Sequence, residues 1–293
     1  MKLALLSCEN LPGWEKDDRF LHQELSRQGI DWKIVSWDAS EDWACFDAVL
    51  IRTTWDYVER KEQFLETLTS LATQTRLLNP LEVVRWNVEK TYLQTLSAHG
   101  LPIAPTIWID QITQPLSTLL LEQGWTKAFL KPVVGACASD TRRFSIGETE
   151  DVEAWLQTQL TSGKRMMLQP YVDTVETEGE YSVLYFGNRL SHCVQKIPVV
   201  GDYRVQDDFG ATDHRIEAVD HPDLIAIAQR TLSVLQALFD DILVLRLDFL
   251  RWDGQFVINE LELIEPSLFL RHAPNTGPSI LVEELQQRIG YSS

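Results

Sequence analysis

Residues 245–262 read LRLDFLRWDGQFVINELE, and apolar and ionic side chains alternate at both ends of this stretch. Alternation with a period of two predicts two β-strands, and the Asp-Gly pair between them predicts the tight turn of a hairpin. Two turn geometries are open. A two-residue turn pairs Trp252 with Gln255, whereas a three-residue loop with a left-handed glycine pairs Arg251 with Gln255.

Four ionic side chains decide what this hairpin can do. Arg246 and Asp248 share one face of the first strand, and Glu260 and Glu262 share one face of the second. The two-residue turn puts Asp248 and Glu260 on opposite sides, whereas the three-residue loop puts Arg246 opposite Glu260 and gathers all four on one surface. Three carboxylates in such proximity repel one another, and a hard cation such as Mg²⁺ would neutralise them. A solvated sheet face fits the alternation equally, so both interpretations remain open at this point.

The composition is that of a globular protein with a strong negative charge. Of the 293 residues 44% are hydrophobic and 24% are charged, and the formal net charge is −17. This charge, without runs of Lys or Arg, disfavours nucleic acid and anionic membranes as partners. An anionic substrate would therefore need a local cluster of cations. No apolar run reaches the roughly 18 residues of a membrane span. Four widely spaced cysteines without a CxxC pair predict reduced thiols in a cytoplasmic protein.

Residues 1–85 alternate between strand and helix patterns, which predicts a small parallel sheet covered on both sides. Ligands of such sheets bind beyond the carboxyl ends of the strands, where residues 52–57 read RTTWDY. This segment is either a wall of the substrate site or a loop around a packed tryptophan.

The remainder of the chain predicts a mixed α+β organisation. Asn87 is predicted to cap a helix over Val88–His99, and an α+β unit follows up to residue 172. Long strands, a polar loop that continues to Arg215, and two helices around the acidic hairpin fill residues 173–293.

A candidate phosphate loop has no glycine-rich signature. Neither GxxxxGK[ST] nor GxGxxG is present; instead a predicted strand ends at Lys131 and enters the small residues 133–140. Small side chains let backbone N–H groups approach an anion, and Lys131 would add a point charge there. A plain hairpin loop with a solvated lysine is the alternative.

The order of these segments resembles the ATP-grasp superfamily from about residue 80 to the end. The matching segments are Asn87-Val88-Glu89-Lys90, Phe129 to Asp140, Gln169-Pro170-Tyr171-Val172, Gly179-Glu180-Tyr181-Ser182-Val183, Arg246-x-Asp248 and Glu260-x-Glu262. The resemblance implies an α/β fold with α+β subdomains, preceded by a Rossmann-like domain. It implies three parts: residues 1–85 as the pre-ATP-grasp domain, 86–172 as a central subdomain with a phosphate flap, and 173–293 as a subdomain with the metal site.

The resemblance also implies a role for each matching position. Lys90 and Lys131 correspond to the lysines that hold the α- and β-phosphates of ATP, and residues 134–140 correspond to the flap. Glu262 departs from the pattern, because asparagine is usual there. The other implied roles are adenine or nucleotide binding by Gln169, Tyr171, Val172 and Glu180, ribose binding by Glu176, Mg²⁺ or Mn²⁺ binding by Asp248, Glu260 and Glu262, and stabilisation of transferred phosphate and a tetrahedral intermediate by Arg204 and Arg246.

Within the superfamily, residues 52–57, 172–180 and 259–267 are most similar to the glutathione-synthetase-like branch. That branch includes cyclo-ligases that close O-ureido-D-serine to D-cycloserine. The resemblance implies an ATP- and Mg-dependent carboxylate–amine ligase that works through an acylphosphate on a small amino-acid or peptide-like substrate, either within one molecule or between two. A kinase of the same fold and a non-catalytic ATP-binding regulator are the alternatives.

The residues that would hold the substrate are less defined by the pattern. Arg271, Arg142 and Arg143 are available for a substrate carboxylate, although each also fits a surface arginine. Homodimers are common in this branch, and the sequence identifies no interface for one.

Overall fold

The computed structural model describes residues 1–9, 17–135, 140–206 and 209–290, and within these ranges the chain forms three β-sheets and eight α-helices. The predicted α/β organisation is confirmed. None of the helices in these ranges combines the length and the apolarity that crossing a bilayer requires. Three of the cysteines, Cys8, Cys45 and Cys193, are free thiols, and Cys137 lies outside the described residues.

The first sheet is parallel and carries the strand order β2-β1-β3-β4. Its third strand is buried along its whole length, as expected for a strand covered on both faces. The alternation predicted for this part of the chain is confirmed. Its elements are β1 Lys2–Ser7, α1 Asp18–Arg27, β2 Asp31–Ser36, β3 Ala48–Thr53, α2 Lys61–Ala72 and β4 Arg76–Leu78.

The helix predicted at Val88–His99 is wrong in its bounds and in its cap. Two short helices occupy this region, α3 Leu81–Asn87 and α4 Tyr92–Ala98, and Asn87 is the last residue of the first one. Its buried side chain bonds the backbone of Leu261 and Leu263 instead of capping a helix. A buried asparagine side chain can hydrogen-bond backbone groups of a distant strand as well as those of a nearby helix end. In Asn87 the distant partners are the ones that are bonded.

The second sheet has the order β5-β8-β6-β7, and all its pairs are antiparallel. Two helices, α5 and α6, pack on it through Leu116, Leu120, Val152 and Leu156. The elements are β5 Ile107–Ile109, α5 Leu116–Gln123, β6 Lys127–Pro132, β7 Arg142–Ser145, α6 Thr149–Thr161 and β8 Met166–Pro170.

The third sheet has five antiparallel strands in the order β11-β10-β9-β12-β13. One strand, β11, was not predicted, because a polar loop was expected up to Arg215. Its polar residues pair along β10 at the sheet edge, where side chains stay half solvated. The elements are β9 Glu180–Phe186, β10 Arg189–Ile197, β11 Thr212–Ile216, α7 Pro222–Leu238, β12 Val244–Trp252, β13 Gln255–Glu262 and α8 Gly277–Ile289.

One face of the third sheet positions a polar band between two apolar clusters. At one end, Leu184, Phe186 and Val244 pack in one core with Leu3 of the first sheet and Leu281 of α8. At the other end Leu250 and Val257 pack with Tyr171, Val172 and Val175, next to the second sheet. The opposite face is covered by α4 and α7. Charged side chains between the two clusters are therefore held on a rigid, largely buried surface.

Candidate active site

The hairpin closes with the two-residue turn and changes register farther along. Trp252 pairs with Gln255, as in the first of the two predicted geometries. The pairing then shifts by one residue beyond Phe249 and Ile258, which leaves Asn259 as the extra residue of a β-bulge.

The bulge gathers the ionic side chains that the two-residue turn alone would separate. Arg246 lies opposite Glu262, and Asp248 lies opposite Glu260. The expectation that a two-residue turn separates Asp248 from Glu260 is wrong, because the inserted residue reverses the alternation of β13. The three-residue loop predicted that Arg246 pairs with Glu260, which is also wrong, because Arg246 pairs with Glu262, two residues farther along.

The three acidic side chains of the hairpin form one cluster. Asp248, Glu260 and Glu262 each offer a carboxylate oxygen, and these oxygens lie within 4.8 Å of one another. Arg246 bridges part of the cluster, since its Nη2 lies 2.9 Å from Asp248 Oδ2 and 2.9 Å from Glu262 Oε1. Lys90 Nζ lies 2.8 Å from Glu260 Oε1. The cluster is thus a set of hard oxygen donors held in place by cations, which suits a divalent cation such as Mg²⁺.

The neighbouring charges give the three carboxyl groups different proton affinities. Burial raises the pKa of Asp248, but Arg246 and Lys196 outweigh it and bring that pKa to about 2. Burial also raises the pKa of Glu260, but the positive charges of Lys90 and Lys131 outweigh burial, so this pKa is lowered. At Glu262 burial prevails over Arg246, and with Glu260 and Asp248 nearby the pKa rises to about 7. A cation at this site would compete with a proton mainly at Glu262.

Two predicted phosphate lysines project from different elements into this region. Lys90 Nζ donates to the Gly135 carbonyl at 2.8 Å, and Lys131 Nζ donates to Asn259 Oδ1 at 3.2 Å. Burial lowers the pKa of Lys131 to about 8, although Glu260 acts in the opposite direction. Of the predicted flap, residues 136–139 lie outside the described residues.

Lys196 is a central cation that the sequence interpretation did not select. Its ammonium group bonds Glu180 and lies 3.3 Å from Asp248 Oδ1, and the side chain is almost fully buried. Asp248 also accepts a hydrogen bond from Ser182 Oγ. A lysine near the end of a predicted strand was the available signal, because a lysine that is buried there needs an acidic partner.

Asn259 and Gly179 complete the support of this cluster. Asn259 Nδ2 donates to Glu180 Oε2 at 2.6 Å, so the bulge residue connects Lys131 with Glu180. Gly179 has φ +75°, and a Cβ there would lie 1.9 Å from the Lys196 carbonyl oxygen. Only glycine permits that approach of the two strands.

A cavity of about 610 Å³ joins these groups to the predicted adenine hinge. It is lined by Gln169, Tyr171 and Val172 at one end and by the acidic cluster in the middle. The Tyr171 amide already donates to the Lys127 carbonyl, and the Gln169 amide donates to Thr106 Oγ1. The Tyr171 N–H is therefore already engaged, and the Val172 carbonyl likewise accepts a hydrogen bond from Val175 N.

Two residues predicted to bind the nucleotide or to act in catalysis, Glu176 and Arg204, are paired with other side chains of the protein. Glu176 does not line the cavity; its carboxylate accepts hydrogen bonds from Tyr171 OH and Arg143, each at 2.6 Å. Arg204 lines the cavity, but its guanidinium pairs with Asp202 at 2.7 Å. Both groups would have to exchange partners in order to contact a nucleotide.

The packed aromatic residue of segment 52–57 is Tyr57 and not the predicted tryptophan, and a substrate wall remains a prediction for Trp55. Trp55 lines the cavity, whereas Tyr57 packs in the core of the first sheet. Arg52 pairs with Asp18 at 2.8 Å and is buried, so it supports the segment and does not line the cavity.

The three arginines considered for a substrate carboxylate lie in different surroundings. Arg271 lines the cavity and pairs with Asp17 and Asp213. Arg142 and Arg143 do not line it: Arg142 lies over Trp155, and Arg143 bonds Glu176.

The far end of the cavity contains an acidic residue that the sequence interpretation left unassigned. Glu265 lines this end together with Ser267, and only 8% of Glu265 is exposed. Burial, with Glu262 adding to it, raises the pKa of Glu265 well above its ordinary value. The arrangement as a whole combines a hinge, a cation-lined middle and an acidic far end, which suits a phosphorylated nucleotide lying next to a smaller polar substrate.

Comparison with known proteins agrees with this geometry. Residues 3–79 match the family model described as D-cycloserine synthetase DcsG, N-terminal domain. The cycloserine biosynthesis protein DcsG of Streptomyces lavendulae is 31% identical over 269 residues, which cover 89% of this chain and 90% of that protein.

Solved structures extend the similarity over the whole chain. A crystal structure of D-cycloserine synthetase DcsG superposes with a TM-score of 0.87 at 27% identity, covering 99% of this chain and 100% of that one. D-alanine–D-alanine ligase from Bacillus anthracis, in complex with ATP, superposes with a TM-score of 0.70 at 14% identity over 100% of both chains. The second similarity concerns the fold alone.

Proposed function

This chain belongs to the DcsG family of ATP-grasp ligases and is an ATP-dependent ligase, and we propose that it joins a carboxylate to an amine through an acylphosphate. One observation carries the proposal. A single cavity brings three clustered carboxylates together with Lys90, Lys131, Lys196 and Arg246. Hard acidic ligands surrounded by cations are what a magnesium-bound triphosphate requires.

The donor set supports a magnesium ion between the hairpin and the nucleotide. Asp248, Glu260 and Glu262 would hold the ion, since their oxygens already lie within 4.8 Å of one another. When bound, the ion would supply positive charge that offsets the charge of the ATP phosphates. Glu262 in place of the usual asparagine adds negative charge to this set, and Arg246 beside it offsets that charge.

The lysines would bind and orient the nucleotide. Lys90 and Lys131 lie on the side of the cluster that faces residue 135, and they would release Gly135 O and Asn259 Oδ1 to contact phosphate oxygens. The base would lie against Gln169 and Val172, at the apolar end of the cavity. Glu180 would stay with Lys196 and keep the cluster in register, while ribose binding by Glu176 would need the carboxylate to leave Arg143.

The reaction would proceed in two balanced steps. A carboxylate oxygen of the substrate forms a bond to the γ-phosphorus while the bond to the bridging oxygen of ADP breaks, which gives an acylphosphate and ADP. The amine nitrogen then bonds the acyl carbon, loses a proton, and displaces inorganic phosphate. Arg246 would stabilise the oxyanion of the tetrahedral intermediate, and Arg204, released from Asp202, would contact the transferred phosphate.

The substrate that fits is a small amino acid or peptide-like molecule. The nucleotide would occupy most of a cavity of about 610 Å³, so limited space remains near Glu265 and Arg271. An intramolecular closure, in which carboxylate and amine belong to one molecule, fits this limited space and the DcsG relationship. Residues 1–85 would then be the pre-ATP-grasp domain, residues 86–172 the central subdomain with the phosphate flap, and residues 173–293 the subdomain with the metal site.

The proposal is tested by ADP release with Mg-ATP across free amino acids, dipeptides and O-ureido-D-serine, with mass spectrometry of the products. ADP, inorganic phosphate and an amide or cyclic product are expected. ADP with a phosphorylated product and no free phosphate would identify a kinase instead. Lys131→Ala should abolish ADP release, whereas Lys33→Ala, which changes an exposed lysine paired with Glu41, should leave it unchanged.

A further inference from the structure

Glu265 is a buried acidic residue with an incompletely hydrogen-bonded carboxylate. Only 8% of the residue is exposed, and its Oε2 has no hydrogen-bond partner among the described residues. Buried carboxylates normally pair with a cation or with several donors, because burial without partners is costly. The residue lines the cavity, and because Oε2 itself is enclosed, a ligand would contact the part of Glu265 that remains accessible.

The backbone around Glu265 is fixed by other groups, and its side chain takes no part in this. The carbonyls of Glu265, Pro266 and Ser267 accept hydrogen bonds from Trp55, Arg52 and Arg246, at 3.3, 3.1 and 3.3 Å. These donors hydrogen-bond the main chain, and within the described residues none of them is a hydrogen-bond partner of Oε2. The side chain is therefore presented from a rigid segment, which is how binding groups are usually preorganised.

The nearby arginines are already committed to other acids. Arg52 pairs with Asp18, and Arg246 pairs with Asp248 and Glu262. Arg52 Nη1 and Thr54 Oγ1 also lack partners in the described part of the chain, but neither Arg52 nor Thr54 lines the cavity. Glu265 is the member of this group that a ligand in the cavity can reach.

The surroundings of Glu265 favour a compact cation. Trp55 lines the same cavity, and an ammonium group is attracted to an aromatic face as well as to a carboxylate. We propose that Glu265, with Trp55 beside it, binds a primary ammonium group of the substrate that is distinct from the nitrogen that becomes acylated. The inference rests on the proposed ligase function and names the substrate class as one that carries an amino group close to the activated carboxylate, as an α-amino acid does.

The first test measures thermal stability, which needs no substrate. Glu265→Gln should raise the Tm of the ligand-free protein at pH 8, because it replaces an unmet acid by a neutral group of the same shape. Glu284→Gln is the matched control. Glu284 is also 8% exposed, but it pairs with Arg288 at 2.8 Å, so this change should lower the Tm. A lower Tm for Glu265→Gln would show a structural role and overturn the proposal.

The second test compares each turned-over substrate with its des-amino analogue, with O-ureido-D-serine and 3-(ureidooxy)propanoate as the first pair. The wild type should prefer the amine-bearing member by about tenfold to a hundredfold in kcat/KM, and Glu265→Gln should reduce this preference to about one while the KM for ATP stays unchanged. A preference that survives in Glu265→Gln would overturn the proposal.

The two tests separate this inference from the proposed ligase. If wild-type protein releases no ADP with any member of the panel, the ligase proposal fails, and the Tm comparison still shows whether the Glu265 carboxylate costs the ligand-free protein stability. If Glu265→Gln does not fold, Glu265→Met, of similar volume, takes its place in both tests.

Discussion

Asp248 and Glu262 lie on one face of the same hairpin, yet their proton affinities differ widely. Burial disfavours the charged form of both, but Arg246 and Lys196 together bring the pKa of Asp248 to about 2, whereas burial and two acidic neighbours leave that of Glu262 at about 7. An asparagine at position 262 would have no such penalty. The extra acid therefore costs stability in the empty site and adds attraction for a metal ion in the filled one.

Glu262→Gln tests this difference through the pH dependence of stability. The pKa of Glu262 in the folded protein, about 7, exceeds its ordinary 4.5, so unfolding releases its proton and wild-type stability falls as the pH rises through this window. Glu262→Gln should show a smaller fall and a higher Tm than wild type at pH 8, with the two proteins converging near pH 4.

The measurement is calorimetry in a metal-free buffer across pH 4–8. Glu283→Gln is a suitable control, because Glu283 is an exposed acid paired with Arg189. Identical pH profiles for wild type and Glu262→Gln would show that Glu262 is no more costly to ionise in the folded protein than in the unfolded chain.

Glu260→Gln tests the metal set directly. Glu260 offers one of the three clustered oxygens and pairs with Lys90 at 2.8 Å. Loss of its charge should raise the Mg²⁺ concentration required for half-maximal ADP release by about tenfold or more. An unaltered Mg²⁺ titration would remove Glu260 from the metal site.

At the scale of elements, the hairpin shows which features a sequence can predict. Its two strands and its tight turn follow from alternation and from the Asp-Gly pair. The bulge at Asn259 does not, because no local pattern distinguishes an inserted residue from a paired one until its side chain is seen between Lys131 and Glu180. The prediction that the ionic residues lie on one surface was thus correct, but the predicted strand register was wrong.

Gly254→Ala tests how strongly the turn holds this register. Asp253 and Gly254 have φ of 49° and 75°, and nothing lies within 4 Å of a Cβ added at Gly254, so the cost comes from the backbone alone. The change should lower the free energy of unfolding by about 1 kcal/mol, as measured by urea titration. Asp253→Asn should be neutral, because asparagine tolerates the left-handed region. Equal stability of all three proteins would show that the turn contributes nothing.

Asn79 illustrates a long-range connection that the sequence did not predict. The Asn79-Pro80 pair was interpreted as a break between elements, but the side chain of Asn79 makes four hydrogen bonds, to Leu243 N, to Val244 N and O, and to Leu263 O. It joins the end of the first sheet to both strands of the hairpin. Asn87 makes a similar connection to Leu261 and Leu263.

At the scale of the whole molecule, Asn79→Ala should weaken the connection between the first and third sheets. Four buried backbone groups would lose their partner, so the free energy of unfolding should fall by roughly 3 kcal/mol or more. The control is Asn188→Ala, which removes one exposed hydrogen bond with Gln236. A loss as small as that of the control would show that other contacts carry the connection.

The fold was more predictable than the site. Alternation of strands and helices identified the first sheet, and the order of short motifs identified the rest, because both depend on local periodicity. The roles of Lys196, Asn259 and Glu265 depend on which residues meet across strands, so sequence alone did not select them. Glu176 is the opposite case, because its place in the chain predicted ribose binding. In the structure its carboxylate instead accepts hydrogen bonds from Arg143 and Tyr171.

In the proposed mechanism a substrate carboxylate is phosphorylated before an amine displaces the phosphate. The most direct measurement uses the substrate identified in the ADP assay, labelled with ¹⁸O in its carboxylate, and follows the label into inorganic phosphate by mass spectrometry. An acylphosphate intermediate predicts one ¹⁸O atom in each phosphate released with the amide or cyclic product. Unlabelled phosphate formed alongside that product would contradict an acylphosphate intermediate.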